Sequence, residues 1–199
     1  MAKVVRILVA LVVVVVVVYA AIHFYQSRRA LKAGLLTENI THEGDLWHAD
    51  FTARIPAPEQ AVFEAIRNVE NTHSDQVKAV RVVSQSGNKK TVDMDIAGVG
   101  GQTITTELEF EYLPDEKKII YHTVNNPLLE THAAYQLGDE GTSTLIDYHE
   151  TTHLLQSVPV PEGVIKQVIR TIFIAQLETL KHTLNIKTAD NSGTSDDEP

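Results

Sequence analysis

The 199-residue chain has no cysteine, one tryptophan and two methionines, and aromatic residues make up only 6% of it. Without cysteine it can form no disulfide, no thiolate metal site and no thiol nucleophile. Basic residues are scarce over most of its length. Five of the 17 (Lys3, Arg6, Arg28, Arg29, Lys32) and none of the 26 acidic residues precede residue 33, which leaves residues 33–199 with 12 basic side chains and a net charge of −14. Such a surface repels nucleic acid phosphates and anionic lipid headgroups, so no nucleic-acid partner is expected, and a lipid would have to enter by an apolar route.

What the chain does have is one long apolar run. Residues Ile7 to Ile22, ILVALVVVVVVVYAAI, are 16 consecutive apolar residues. A helix from Val4 to Tyr25 would rise roughly 33 Å, close to the ~30 Å of a bilayer core, and inside a bilayer a single span must be helical even where it is rich in valine. The expectation is a transmembrane anchor over 1–27 and a single-pass membrane protein whose remaining domain is extracytoplasmic. A cleaved signal peptide is the alternative. Residues 28–45 read as a linker, helical over the first half, and the acidic, polar 187–199 as a disordered tail. One folded domain remains, residues 46–186.

Within it, LWHADFTARI (46–55) alternates Trp47, Ala49, Phe51, Ala53 and Ile55 with polar residues, the period of a half-buried strand. PAPEQAVFEAIRNVEN follows, with Pro58 and Glu59 suited to a first helical turn and Val62, Phe63, Ile66 and Val69 on one face. Runs at 77–84, 91–96, 103–112, 119–124, 131–137 and 142–155, separated by turn residues, predict six further strands. In the third, Ile104, Thr106, Leu108, Phe110 and Tyr112 share one face and three glutamates the other. A one-sided antiparallel sheet is expected. Residues 161–186 repeat Val164, Ile165, Val168, Ile169, Ile172, Phe173, Leu177, Leu180 and Leu184 at helical spacing, which predicts one long helix covering that sheet.

The stretch His149-Glu150-Thr151-Thr152-His153 fits the HExxH pattern of zinc peptidases. On a helix the two histidines would lie ~6 Å apart and could share a zinc ion; on a strand they lie ~13 Å apart and cannot. Thr142, Thr144, Ile146, Tyr148, Thr151 and Thr152 favour a strand, and the third ligands that could be proposed, Glu178 and His182, sit late in a terminal helix whose apolar face is committed to the sheet. No metal site is expected. Ile146 and Tyr148 on an inward face would also turn Glu150 inward, as a candidate acid or ligand-orienting group, but the alternation is poor and the opposite parity, with Glu150 solvated, is the expectation. His42 and His48, near Glu43 and Asp45, read as solvated surface, and GVGG (98–101) as a turn or flexible rim.

The strand ending in IPAPE with its amphipathic helix, FTARIPAPEQAVFEAI (51–66), and the terminal helix at 161–184 resemble the START-like superfamily, which includes polyketide cyclase/dehydratase-like (SRPBCC) proteins. The resemblance implies an α+β helix-grip fold, a curved antiparallel sheet wrapped around a long C-terminal helix, here preceded by the membrane helix. It also implies a cavity for a hydrophobic ligand, lined by Trp47, Phe51, Met94, Ile96, Leu108, Phe110 and Tyr112 on the sheet and Ile165, Ile169, Ile172 and Phe173 on the helix. The function expected is binding or transfer of a lipid, isoprenoid or quinone with no cofactor. A cyclase/dehydratase-like enzyme is the alternative, followed by an accessory subunit of a membrane complex and, last, the zinc peptidase.

Overall fold

The computed structural model describes residues 27–71, 77–97, 103–126, 128–155 and 161–186. A short helix α1 (27–33) leads into strands β1 (Leu35–Glu43) and β2 (Leu46–Ile55). Helix α2 (Glu59–Arg67) and a single 3-10 turn at Val69–Asn71 come next. Six strands then form a meander: β3 (Val77–Ser86), β4 (Lys89–Ala97), β5 (Thr103–Leu113), β6 (Lys118–Asn125), β7 (Leu129–Asp139) and β8 (Thr144–Leu154). Helix α3 (Glu162–Thr183) closes the chain.

All eight strands lie in one antiparallel sheet of order β1-β2-β8-β7-β6-β5-β4-β3. Helix α2 carries the chain from β2 to the far edge, and the meander returns until β8 lies against β2. The expected parity holds on the key strands. Trp47, Ala49, Phe51, Ala53 and Ile55 of β2 are buried while Asp50 and Arg54 are exposed. Thr106, Leu108, Phe110 and Tyr112 of β5 are buried on one face. The core lies between that face and α3, where Phe51 stacks on Phe173 with ring centroids 4.4 Å apart and Tyr148 on the same ring at 4.8 Å.

Three expectations need correction. First, the linker expected over 28–45 contains strand β1, hydrogen-bonded along β2 from Leu35↔Ala53 to Glu43↔Leu46. As an edge strand with mostly exposed side chains it shows no apolar alternation; what marked it was the Gly44-Asp45 turn, with Gly44 at φ +62°. Second, the apolar face of α3 is only partly covered. Phe173, Ile174, Leu177 and Leu180 are buried, but Val164, Val168 and Ile172 are 48%, 52% and 42% exposed. Third, the membrane localisation is withdrawn: among the described residues no helix is long and apolar enough to cross a membrane. The expected span at 1–27 lies, but for Ser27, outside the described residues, as do the tail at 187–199 and the GVGG loop.

Helix α1 packs on the C-terminal half of α3. Ala30 and Ala33 are buried, the Arg29 guanidinium donates to both oxygens of Glu178, and Lys181 Nζ donates to the Lys32 carbonyl at 2.7 Å. The turn from α1 into β1 requires glycine. Gly34 has φ +96°, its carbonyl accepts the Arg54 N–H at 2.8 Å, and a Cβ there would lie 2.3 Å from the Arg54 carbonyl oxygen. At the other side of the sheet Lys90, 3% exposed, reaches from β4 to the end of α2, donating to Glu70 Oε2 at 2.7 Å and to the Arg67 carbonyl at 3.0 Å. Burial alone would raise the Glu70 pKa, but the Lys90 hydrogen bond, the backbone and the Lys90 charge outweigh it and hold the carboxyl below its usual value.

Gly34→Ala is expected to destabilise the domain by about 1–3 kcal/mol, read as a lower urea midpoint with unchanged m-value. Because the folded-state pKa of Glu70 is depressed, its contribution is complete above the unfolded value near 4.5 and is lost as pH falls through the folded value. Glu70→Gln should therefore be less stable than wild type near neutral pH, and urea stabilities measured down to about pH 3 should converge.

Candidate functional site

Between the concave face of the sheet and α3 lies a cavity of about 1060 Å³, bordered along the length of the helix from Gly163 to Thr183. That matches the upper end of the ~300–1,000 Å³ typical of small-molecule sites. Its wall is mostly apolar. Trp47, Met94, Ile96, Leu108 and Phe110 border it from the sheet, and Ile165, Ile169, Ile172 and Phe173 from the helix. Phe51 and Tyr112 do not border it. Phe51, 2% exposed, lies beneath Phe173 as core, and Tyr112, 3% exposed, lies beside Phe110 with its hydroxyl unpartnered among the described residues. The exposed Val164, Val168 and Ile172 form one rim.

One end of the wall carries polar groups, and they are connected. Residue alternation along β8 puts Ile146, Tyr148, Glu150 and Thr152 on the cavity side. The β2 and β7 partners of Glu150 are Ala49 and Ala133, both small, so no large side chain covers its carboxylate from either neighbouring strand. Tyr148 donates its hydroxyl to Glu150 Oε2, and Thr152 donates to Oε1 at 2.7 Å. With the Tyr148 proton directed to the carboxylate, the Tyr121 hydroxyl 2.6 Å away must donate to Tyr148. By the same reasoning Thr131, 2.9 Å from Thr152, donates to Thr152. From the helix side, Gln176 accepts the Tyr135 hydroxyl at 2.9 Å and hydrogen-bonds Tyr121. Burial raises the pKa of Tyr121, Tyr135 and Tyr148 well above the usual phenol range, and the Glu150 charge acts in the same direction. All three therefore stay protonated donors at neutral pH.

Glu150 thus takes the inward parity, contrary to the solvated position expected for it. The strand is one in which threonines occupy both faces, so its alternation could not fix the parity; the β2 register does, by pairing Ala49 with Glu150. The HExxH histidines point the other way. His149 and His153 lie on the outer face of β8, with His149 Nδ1 2.7 Å from Asp50 Oδ1 and His153 Nδ1 3.8 Å from Glu130 Oε2. Four strand steps separate them by ~13 Å, and no group of three metal-ligating side chains occurs among the described residues. The site residues that sequence periodicity did not bring forward are Glu150's donors Tyr148 and Thr152, the hydroxyls of Tyr121 and Thr131 behind them, and Tyr135 and Gln176. Their signal is spatial, spread over four elements.

No protein-family model and no curated protein matches the chain. Solved structures do. The Zhui aromatase/cyclase from Streptomyces sp. R1128 aligns with TM-score 0.63 and 13% identity, over 75% of this chain and 99% of that one. A START superfamily protein from Mycobacterium smegmatis aligns at 0.59 and 13%, over 69% and 97%. This chain has the START-like helix-grip fold. The di-domain ARO/CYC BexL is similar as well, with TM-score 0.57 and 18% identity over 73% of this chain and 51% of that one. At these identities the likeness fixes the helix-grip architecture and leaves the chemistry to the cavity's own residues.

A zinc titration followed by native mass spectrometry should give no stoichiometric adduct at the outer-face histidines. His149→Ala should leave the metal-adduct pattern and the unfolding midpoint essentially as in wild type.

Proposed function

We propose that this helix-grip domain binds a hydrophobic small molecule between its sheet and α3. The observation that carries the reading is the cavity of about 1060 Å³ whose wall is built from apolar side chains of both layers. A stable core would be expected to fill such a space, since interiors pack at the density of organic crystals. Here α3 leaves part of its own apolar face, at Val164, Val168 and Ile172, unburied beside the opening. Lipids, isoprenoids and quinones fit this description by size and polarity. The START superfamily protein and the aromatase/cyclases that share the fold are consistent with either a carrier or a catalyst.

A second reading has its own observation. Glu150, fed by hydroxyl donors and placed in an apolar cavity, is suited to take a proton from a carbon next to a carbonyl, the step a cyclase-like enzyme would need. Binding is the broader reading and catalysis would require it, so binding is tested first.

The domain should bind the neutral apolar dye Nile red with a blue-shifted emission. Ala175 borders the cavity on α3, and Ala175→Phe should fill the space and weaken the dye by about tenfold or more while leaving the circular dichroism spectrum intact. Equal affinity in wild type and variant would argue against this cavity as the binding site.

A further inference from the structure

Glu150 is the only charged side chain bordering the cavity among the described residues; no Lys, Arg or His accompanies it. A carboxylate in such a place has three consequences. It repels a ligand that ends in another anion, because the wall offers no cation to compensate. Its lone pairs are only partly used: Tyr148 occupies one site on Oε2 and Thr152 one on Oε1, and a carboxylate offers about four. Finally, the surrounding hydroxyls have no proton left for an incoming acceptor, because Tyr121 and Thr131 already spend theirs on Tyr148 and Thr152 in chains that end at Glu150. The free capacity at this end of the cavity is therefore acceptor capacity, strongest on the carboxylate.

Resting on the binding function proposed above, we infer that the cavity selects ligands with an apolar body and a hydrogen-bond-donating head, a hydroxyl or an amine, and excludes those ending in carboxylate or phosphate. The head sits at Glu150, flanked by Ala49 and Ala133, and the body extends along the apolar wall toward Ile165 and Ile169. A hydroxyl adds one charge-assisted hydrogen bond; an ammonium adds the same bond and cancels the buried charge. Free fatty acids are the amphiphiles this arrangement disfavours. Tyr148 acts as a positioning residue, holding the carboxylate rather than touching the head.

The test is competition against Nile red with four molecules of equal chain length: dodecanol, dodecylamine, laurate and methyl laurate. Dodecanol or dodecylamine, or both, should displace the dye about tenfold or more better than laurate and better than the methyl ester, which has no donor. If the amine leads the alcohol by a further tenfold, the head is cationic; parity of the two makes it a neutral donor. Glu150→Gln keeps the size and an acceptor oxygen but removes the charge, and should bring laurate to within about threefold of dodecanol. Tyr148→Phe should narrow the same gap without abolishing dye binding. Laurate binding as well as dodecanol in wild type, or a preference unchanged in Glu150→Gln, overturns the inference while leaving the cavity reading in place. Failure of wild type to bind Nile red at all overturns both.

Discussion

The pairing of β2 with β8 is the constraint on which the remaining structure depends. It runs without interruption from Leu46↔His153 to Ile55↔Thr144 and joins strands about a hundred residues apart. Because side chains alternate faces, a slip of β8 by one residue along β2 would turn Tyr148 and Glu150 outward while Phe51 stayed inward, and would bring Asp147 and His149 into the core. Phe51 lies opposite Tyr148, and both rings meet Phe173, so the register also locates the terminal helix. The same ladder sets Ala49 beside Glu150. One backbone alignment therefore fixes the packing of the core and the chemistry of the cavity at once.

Much of this architecture was legible from the chain. Strands β2 and β5 alternate cleanly because one face meets α3 and the other water, and α2 and α3 show helical apolar faces for the same reason. Threonine and isoleucine content around HETTH marked a strand, which removed the zinc chemistry that the letters suggested. What stayed hidden follows from the limits of periodicity. Strand β1 is an edge held by backbone hydrogen bonds, so its side chains carry almost no pattern. The parity of β8 depended on its neighbours. Phe51 and Tyr112, placed on the correct face, prove to be core because a face shared with the cavity does not say how far from the opening a residue sits.

The fastening of α3 along both halves explains how a stable fold can coexist with an incomplete interior. Its C-terminal half is fastened by Leu177 and Leu180 against the sheet and by α1 through Arg29–Glu178 and Lys181. The N-terminal half is tied to β1, where Arg170 donates to Glu38 at 2.6 Å, yet it leaves Val164, Val168 and Ile172 exposed beside the opening. None of the anchoring charges, Glu38, Arg170, Glu178 or Lys181, borders the cavity, so the cavity need not be filled for the domain to hold together.

The sheet is open, with β1 and β3 as its margins. Unpaired strand margins invite other chains to add on, and this protein answers the hazard differently on each side. Strand β1 offers Glu38, Asn39, His42 and Glu43, charged or polar and mostly exposed. Strand β3 is more apolar, with Val82 and Val83 exposed, but its ladder shifts register between Val77 and Ala79 and again between Val82 and Ser84. A visiting strand would find no long regular row of donors and acceptors to match. The domain can thus keep a large concave hollow, which an open and curved sheet provides, without becoming a template for its own polymerisation.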